Sequence, residues 1–118
     1  MSTIKVDNLQ TTGGAGLYPA RAWVNFNGTG TVAIREDGNV SSITDNGTGI
    51  YTVNFTSALS DANYASVNTA GFSNSGANFT MPITPSNGSP TASALPIRNY
   101  GSNGVTYDAS HFSVAIFR

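Results

Sequence analysis

The side chains of this sequence that could carry out chemistry are one histidine, six carboxylates and many hydroxyl groups. His111 is the only histidine among 118 residues, and Asp108 lies three residues before it. A Ser-His-Asp triad would have to include His111, yet no serine has the glycine pattern of a nucleophile elbow around it. We therefore predict that the chain is not an enzyme and that His111 is a polar residue beside the last strand.

The sequence does not indicate a metal or cofactor site either. Glu36 and Asp37 are not followed by alternating carboxylates, and the segment from Asp45 lacks the spaced oxygen ligands and the closing Glu of a calcium loop. The chain has no cysteine, which excludes thiolate zinc sites, iron–sulfur clusters and disulfides. We expect no metal and no cofactor.

Charge is scarce in this chain. Only 9% of the residues are charged, and five Lys and Arg give a net charge of -1. So few cations cannot neutralise a phosphate backbone or hold a protein on an anionic membrane. No apolar run approaches the roughly 18 residues that span a bilayer, and the first residues do not resemble a signal peptide. We expect a single soluble domain made in a cytoplasm, without nucleic acid and without membrane insertion.

Short polar residues that favour turns and strands dominate the composition. Ser, Thr, Asn and Gly make up nearly half of the chain. Alternation of polar and apolar residues is clear at 22–27, 50–55 and 111–118, and such alternation is typical of half-buried strands. The sequence therefore predicts an all-β domain, a small antiparallel β-sandwich of about six to eight strands over residues 19–118, with the last strand inside a sheet.

Turn residues predict how these strands connect. The phrase Asn-Gly-Thr-Gly occurs at 27–30 and again at 46–49, and we expect two hairpin turns of one meander. Residues 36–39 predict a further turn between a strand at 31–35 and a strand at 40–44. Pro96 predicts that the strand at 94–100 is an edge strand. Residues 71–88 predict a long loop with at most a short edge strand around 79–83.

The first 18 residues differ from the rest and predict an N-terminal arm with a flexible joint. Ile4, Val6 and Leu9 are apolar, but they stand in a short polar segment that ends in the glycine-rich run 13–16. Such a segment cannot bury them by itself. The arm is either frayed in solution or docked on another chain through these three residues, and the sequence leaves both open.

Residues 19–35, which read PARAWVNFNGTGTVAIR, resemble a module that is common in structural and tail-fibre proteins of bacteriophages, including marine and cyanobacterial ones. The likeness continues through 39–49 (NVSSITDNGTG) and 51–56 (YTVNFT) to about residue 64, and residues 4–10 (IKVDNLQ) look like the lead-in of this module. The resemblance implies a virion protein whose relatives form trimeric fibres. It covers roughly half the chain and leaves 72–107 unmatched.

A more distant similarity links Val53-Asn54-Phe55 and the later Asp61-Ala62-Asn63-Tyr64 to the sandwich core of H-type lectins, which are trimeric sugar binders. That pattern usually has an aromatic residue and a proline where this chain has Leu59 and Asp61. The similarity therefore implies a fold and assigns no sugar-binding residue.

These observations lead to one expected function and two alternatives. We expect a homotrimeric tail-fibre or fibre-tip protein of a virion, joined to other virion proteins through the arm and involved in attachment to a host-surface glycan. A capsid decoration protein and a free carbohydrate-binding lectin are the alternatives. Amide and aromatic side chains in the unmatched part suit contacts with neutral glycans, and we predict such contacts at Asn99, Tyr100, Asn103 and Tyr107.

Overall fold

The computed structural model describes residues 2–71, 81–83, 88–101 and 103–118, and these form an all-β sandwich. Within this part of the chain the strands are β1 Ala22–Asn27, β2 Ala33–Gly38, β3 Val40–Gly47, β4 Ile50–Phe55, β5 Ala65–Gly71, β6 Met81–Ile83, β7 Ala94–Tyr100 and β8 His111–Phe117. One antiparallel sheet has the order β2-β1-β8-β5, and the other has the order β3-β4-β7-β6. The predicted fold class is confirmed.

The core lies between the two sheets and follows the alternation in the sequence. Strands β1, β4 and β8 bury every second residue, and the outward residues between them are more exposed. Phe26 and Phe112 stack with ring centroids 4.9 Å apart, and Tyr51 packs edge-on against both rings. Three aromatic side chains from both sheets therefore fill the centre of the sandwich, in geometries that aromatic pairs favour.

The chain crosses from one sheet to the other at Asn39, and this corrects the prediction of a single meander. The first Asn-Gly-Thr-Gly turn joins β1 to β2 in one sheet, and the second joins β3 to β4 in the other sheet. The turn that was predicted at 36–39 consists of the single residue Asn39, whose φ is 58°. β2 begins at Ala33 and continues to Gly38, because residues 36–38 pair with β1 instead of turning.

The prediction that Pro96 marks an edge strand is wrong. β7 lies between β4 and β6, and Pro96 is opposite Thr52 of β4. Proline has no N–H to donate to a neighbouring strand, which normally confines it to sheet edges. Among the described residues, β6 pairs with Arg98, Asn99 and Tyr100, so none of the β6 residues is opposite Pro96 and none needs an N–H from it.

Two other predictions about strand positions are confirmed. β8 lies inside its sheet, between β1 and β5, and β6 is a short strand at the edge of the second sheet. The rest of the long loop expected between 71 and 88 lies mostly outside the described residues.

The arm precedes β1 and contains a small turn where an irregular joint was expected. Leu17 N–H donates to Leu9 O over 2.9 Å, Thr11 N–H donates to Ala15 O over 2.8 Å, and Gln10 and Gly16 form a β-bridge. The Cα radius of gyration is 15.8 Å and the longest dimension is 47 Å, whereas a compact chain of this length has a radius of about 13.5 Å. No helix in the described residues is both long and apolar enough to span a membrane.

Candidate functional site

The strands place the arm and a set of loops at opposite ends of the sandwich. β1 begins next to the arm, where Arg21 N–H donates to Ile116 O, and it ends at the first Asn-Gly-Thr-Gly turn. The antiparallel order brings three segments to this second end: the turns at 27–30 and 46–49, and the connection from β7 to β8 at 101–110. We call these three segments the loop end.

A buried tyrosine ties the loop end together. The Tyr51 hydroxyl lies 2.7 Å from Gly28 O and 2.6 Å from Asp108 Oδ1, and Asp108 Oδ1 also accepts the Gly49 N–H at 2.7 Å. Burial, followed by the hydrogen bond from Asp108, raises the pKa of Tyr51 far above its usual range. Tyr51 and Asp108 therefore link both Asn-Gly-Thr-Gly turns to the β7–β8 connection.

Close packing explains one glycine in each of the two repeated turns. A Cβ atom on Gly28 would lie 2.6 Å from the Tyr51 hydroxyl oxygen. A Cβ atom on Gly49, which has a φ of 67°, would lie 2.7 Å from the backbone of Tyr107. Distances this short are not tolerated between these atoms, and a positive φ also favours glycine. Gly30 and Gly47, which stand at the equivalent positions of the other copy, have nothing within 4 Å of a Cβ atom, so the two turns repeat in sequence but not in their contacts.

Asp108 and His111 do not form the catalytic pair that their spacing could have allowed. The Asp108 carboxylate binds Tyr51 and Gly49, whereas His111 Nδ1 lies 3.1 Å from the hydroxyl of its neighbour Ser110. Among the described residues, no three His, Asp or Glu side chains are grouped so that they could hold a metal ion.

Three of the four residues that were predicted to contact a glycan are at least partly accessible at the loop end, and Asn99 is not. Asn99 is fully buried, so its predicted contact with a ligand is wrong. Its amide Nδ2 donates to Tyr107 O over 2.8 Å, which holds the β7–β8 connection against β7. Asn99 shares the inward face of β7 with Leu95 and Ile97, and the alternation along this strand could have shown that.

Asn103 and Tyr107 mostly use their polar groups to shape their own loop. Asn103 Nδ2 donates to the Tyr107 hydroxyl over 2.7 Å, and Asn103 Oδ1 accepts the Val105 N–H. Gly101 N–H donates to Val105 O over 2.7 Å. The Tyr107 ring packs over Gly101, where a Cβ atom would lie 2.5 Å from the ring. The result is a preorganised tip on which Val105 is half exposed.

Tyr100 lies at the start of this loop and points to the outer face of the second sheet. It is partly buried, and its hydroxyl accepts a hydrogen bond from the Arg98 guanidinium. The outer face beside it carries the Arg98 guanidinium, whose carbon lies 5.5 Å from the centre of the Tyr100 ring. Tyr100 is therefore the predicted contact residue that an approaching ligand could meet as an aromatic ring beside a cation.

The arm keeps its apolar side chains away from the core. The exposed fractions of Ile4, Val6 and Leu9 are 87%, 58% and 46%. Leu17 and Tyr18 are exposed as well, and together with Ala65 and Phe117 they line a cleft of about 370 Å³ where the arm joins the sandwich. The three residues predicted for assembly are thus accessible to another chain.

An apolar row crosses the outer face of the first sheet. Trp23 is opposite Gly38 of β2 on one side and Ala115 of β8 on the other, and Ala115 is opposite Val67 of β5. We call Trp23, Ala115 and Val67 the apolar row. Trp23 is 41% exposed, Val67 is 59% exposed, and a cleft of about 360 Å³ lies along the row. The sequence analysis did not identify this surface.

Glycine at position 38 allows Trp23 to lie across β2. A Cβ atom there would approach the indole Nε1 to 2.3 Å. The indole therefore covers the backbone of Gly38 and keeps part of its surface accessible on the outer face.

An ion pair fixes the chain near the root of the arm. Arg118 donates from Nε and Nη2 to both carboxylate oxygens of Asp61, at 2.8 Å and 2.7 Å. These hydrogen bonds, with the Asn63 N–H, lower the pKa of Asp61 to about 2. Arg21 Nε donates to Arg118 O, so the start of β1, the end of β8 and the segment before β5 are connected at this end.

No family model matches this chain, and neither a curated protein nor a solved structure matches it.

Proposed function

We propose that this chain is a non-enzymatic structural protein of a bacteriophage virion, a homotrimeric component of the tail fibre or its tip that takes part in attachment to the host surface. The observation that carries the proposal is that the two ends of the molecule differ. An accessible apolar arm lies at one end, and a tightly hydrogen-bonded loop end lies at the other. A fibre subunit needs both, one to join the particle and one to face outward.

The arm supports the assembly part of this proposal. Large apolar side chains that remain in water cost free energy, about 25 cal/mol for each Å² of apolar surface. Ile4, Val6 and Leu9 can recover this free energy only by packing against another chain, since they do not reach their own core. The resemblance of residues 4–10 to a lead-in of phage modules agrees with this role.

The loop end supports the attachment part. Its backbone is held by side chains of the chain itself, so little conformational entropy is lost when a partner binds there. The remaining contact candidates are Tyr100, Asn103 and Tyr107. Tyr100 offers a ligand an aromatic surface beside the Arg98 guanidinium, and aromatic surface with a few polar groups is typical of ligand sites.

Cryo-electron microscopy of intact particles tests this proposal. We expect density for the sandwich at the tail fibre, with the arm directed to the particle and the loop end directed outward. Particles with Tyr100→Ala should adsorb to host cells less well than particles with the control Thr44→Ala on β3. Density on the capsid would instead identify a decoration protein, and absence from particles would leave the free lectin.

A further inference from the structure

The four edge strands of the sandwich differ in how they are protected against pairing with another strand. Exposed edges normally carry charges, proline or bulges, because unpaired N–H and C=O groups otherwise invite a further strand. β2 carries Arg35, Glu36 and Asp37 and has a bulge against β1. β3 has two irregularities against β4, and β6 has three residues that include a proline.

β5 lacks all of these features. Its seven residues, Ala-Ser-Val-Asn-Thr-Ala-Gly, contain no charge and no proline, and they pair with β8 in one unbroken register from Ala65 to Gly71. Within the described part of the chain, no backbone hydrogen bond is seen on the other side of β5. Among the described residues, β5 is thus the edge strand that carries no charge, no proline and no bulge.

The outer face of β5 also continues the apolar row. Val67 is the last member of that row, and Ala65 beside it is opposite Phe117 of β8. A strand that is added along β5 would bury Val67 if the added strand had apolar side chains at every second position on the same outer face of the sheet. Cross-strand neighbours of this kind stabilise sheets.

The arm has the pattern that such a strand requires. Ile4 and Val6 are two residues apart, with Lys5 and Asp7 on the alternate positions. Six residues from Ile4 to Leu9 span about 20 Å when extended, which matches the seven residues of β5. In the single chain the arm does not cover its own β5, since Ile4 and Val67 are both exposed.

We propose that residues 4–9 of a second copy of this chain pair with β5 as a fifth strand of the sheet β2-β1-β8-β5, with Ile4 and Val6 extending the apolar row beyond Val67. The inference rests on the proposed assembly role of the arm and names the surface that receives it. An arm-to-edge contact is heterologous and can close into a ring, as a homotrimer requires.

Cross-linking between two differently substituted chains tests this contact. The natural chain has no cysteine, so full-length chains with Ile4→Cys or Val6→Cys can be mixed with full-length chains carrying Val67→Cys and oxidised. Neighbouring strands bring residues within disulfide distance. We expect a disulfide-linked heterodimer in at least one of the two mixtures. The matched control replaces Val67→Cys by Thr44→Cys on the edge strand β3, and we expect no cross-link there.

A charge on the receiving edge provides a second readout. Val67→Lys should abolish the oligomer at micromolar concentration, whereas Thr44→Lys should leave it intact, with unchanged thermal transitions as a check on folding. Equal cross-linking to β3 and β5, no cross-link to β5, or an oligomer that survives Val67→Lys would each overturn the inference. Failure of the proposed function is separate, because that would be seen as absence from particles while the solution contact persists.

Discussion

At the scale of single residues, Tyr51 connects the core to the loop end. Its ring packs against Phe26 and Phe112, and its hydroxyl reaches Gly28 O and Asp108. A buried hydroxyl that donates to a protein acceptor is costly to remove, because the acceptor is left without that donor. One side chain thus stabilises both the packing and the geometry of the loops.

Replacing this hydroxyl should change both the stability and its pH dependence. Burial and Asp108 raise the pKa of Tyr51, so the folded chain keeps a proton that the unfolded chain releases above about pH 10. The contribution of Tyr51 is therefore fully present below pH 10 and is lost as the pH rises further. We expect Tyr51→Phe to lower the free energy of unfolding at pH 7 by about 1 to 3 kcal/mol and to reduce its fall at alkaline pH.

Urea unfolding at pH 7 and pH 11 measures both effects. Tyr18→Phe is the matched control, since Tyr18 is 84% exposed in the arm and its hydroxyl should not matter. The partly buried Tyr64, whose pKa is also raised by burial, should leave some alkaline loss in every variant. If Tyr51→Phe and the natural protein lost stability in parallel between the two pH values, the assigned role of this hydroxyl would be wrong.

The candidate site could be predicted from the sequence only in part, and Asn99 shows why. Residue type suggested an amide available to a ligand, while position on the strand decides which way the amide points. Asn99 follows Leu95 and Ile97 on the inward face, and its Nδ2 binds Tyr107 O. The Tyr51–Asp108 contact joins residues 57 positions apart, and no local pattern could indicate it.

At the scale of elements, the corner at Asn39 decides that the molecule is a sandwich. Asn39 has a φ of 58°, its Nδ2 donates to Arg21 O and Ser57 O, and its Oδ1 accepts the Ser57 N–H at 2.8 Å. These bonds join the start of β1 to the segment after β4. The corner thereby directs β3 into the second sheet.

Two substitutions at Asn39 separate its backbone conformation from its side-chain bonds. Asn39→Gly keeps the positive φ but loses three hydrogen bonds, so we expect a loss of about 1 kcal/mol in unfolding free energy. Asn39→Ala adds a left-handed penalty of about 1 to 2 kcal/mol, so we expect a larger loss. Thermal unfolding gives the order, with Asn8→Ala in the exposed arm as a neutral control. Equal stability of the alanine and glycine variants would contradict the importance of this conformation.

The alternation of apolar and polar residues predicted β1, β4 and β8, because every second residue of a half-buried strand faces the core. It did not predict which strands share a sheet, since a corner of one residue looks like any other turn in the sequence. Pro96 was misplaced for a similar reason. Its tolerance depends on which residues of β7 pair with β6, and that is a property of the partner strand.

At the scale of the whole molecule, the core and the arm occupy different parts of the chain. The core residues all lie between Ala22 and Ile116, and the exposed large apolar residues before Arg21 all lie in the arm. The sandwich should therefore fold without the arm, and the arm should act only when another chain is present. We propose, as the central claim, that the sandwich domain folds by itself and that the arm provides one side of the contact between chains.

The most direct measurement of this claim compares the full-length chain with a chain that lacks residues 2–16, by light scattering at micromolar concentration and by thermal unfolding. In light scattering, the full-length chain should have the mass of three 12.2 kDa chains, and the shortened chain should be monomeric. In thermal unfolding at concentrations where both chains are monomers, the sandwich domain should have nearly the same transition temperature in both. A full-length monomer at micromolar concentration would contradict the assembly role of the arm, and an unfolded shortened chain would show that the arm is part of the core.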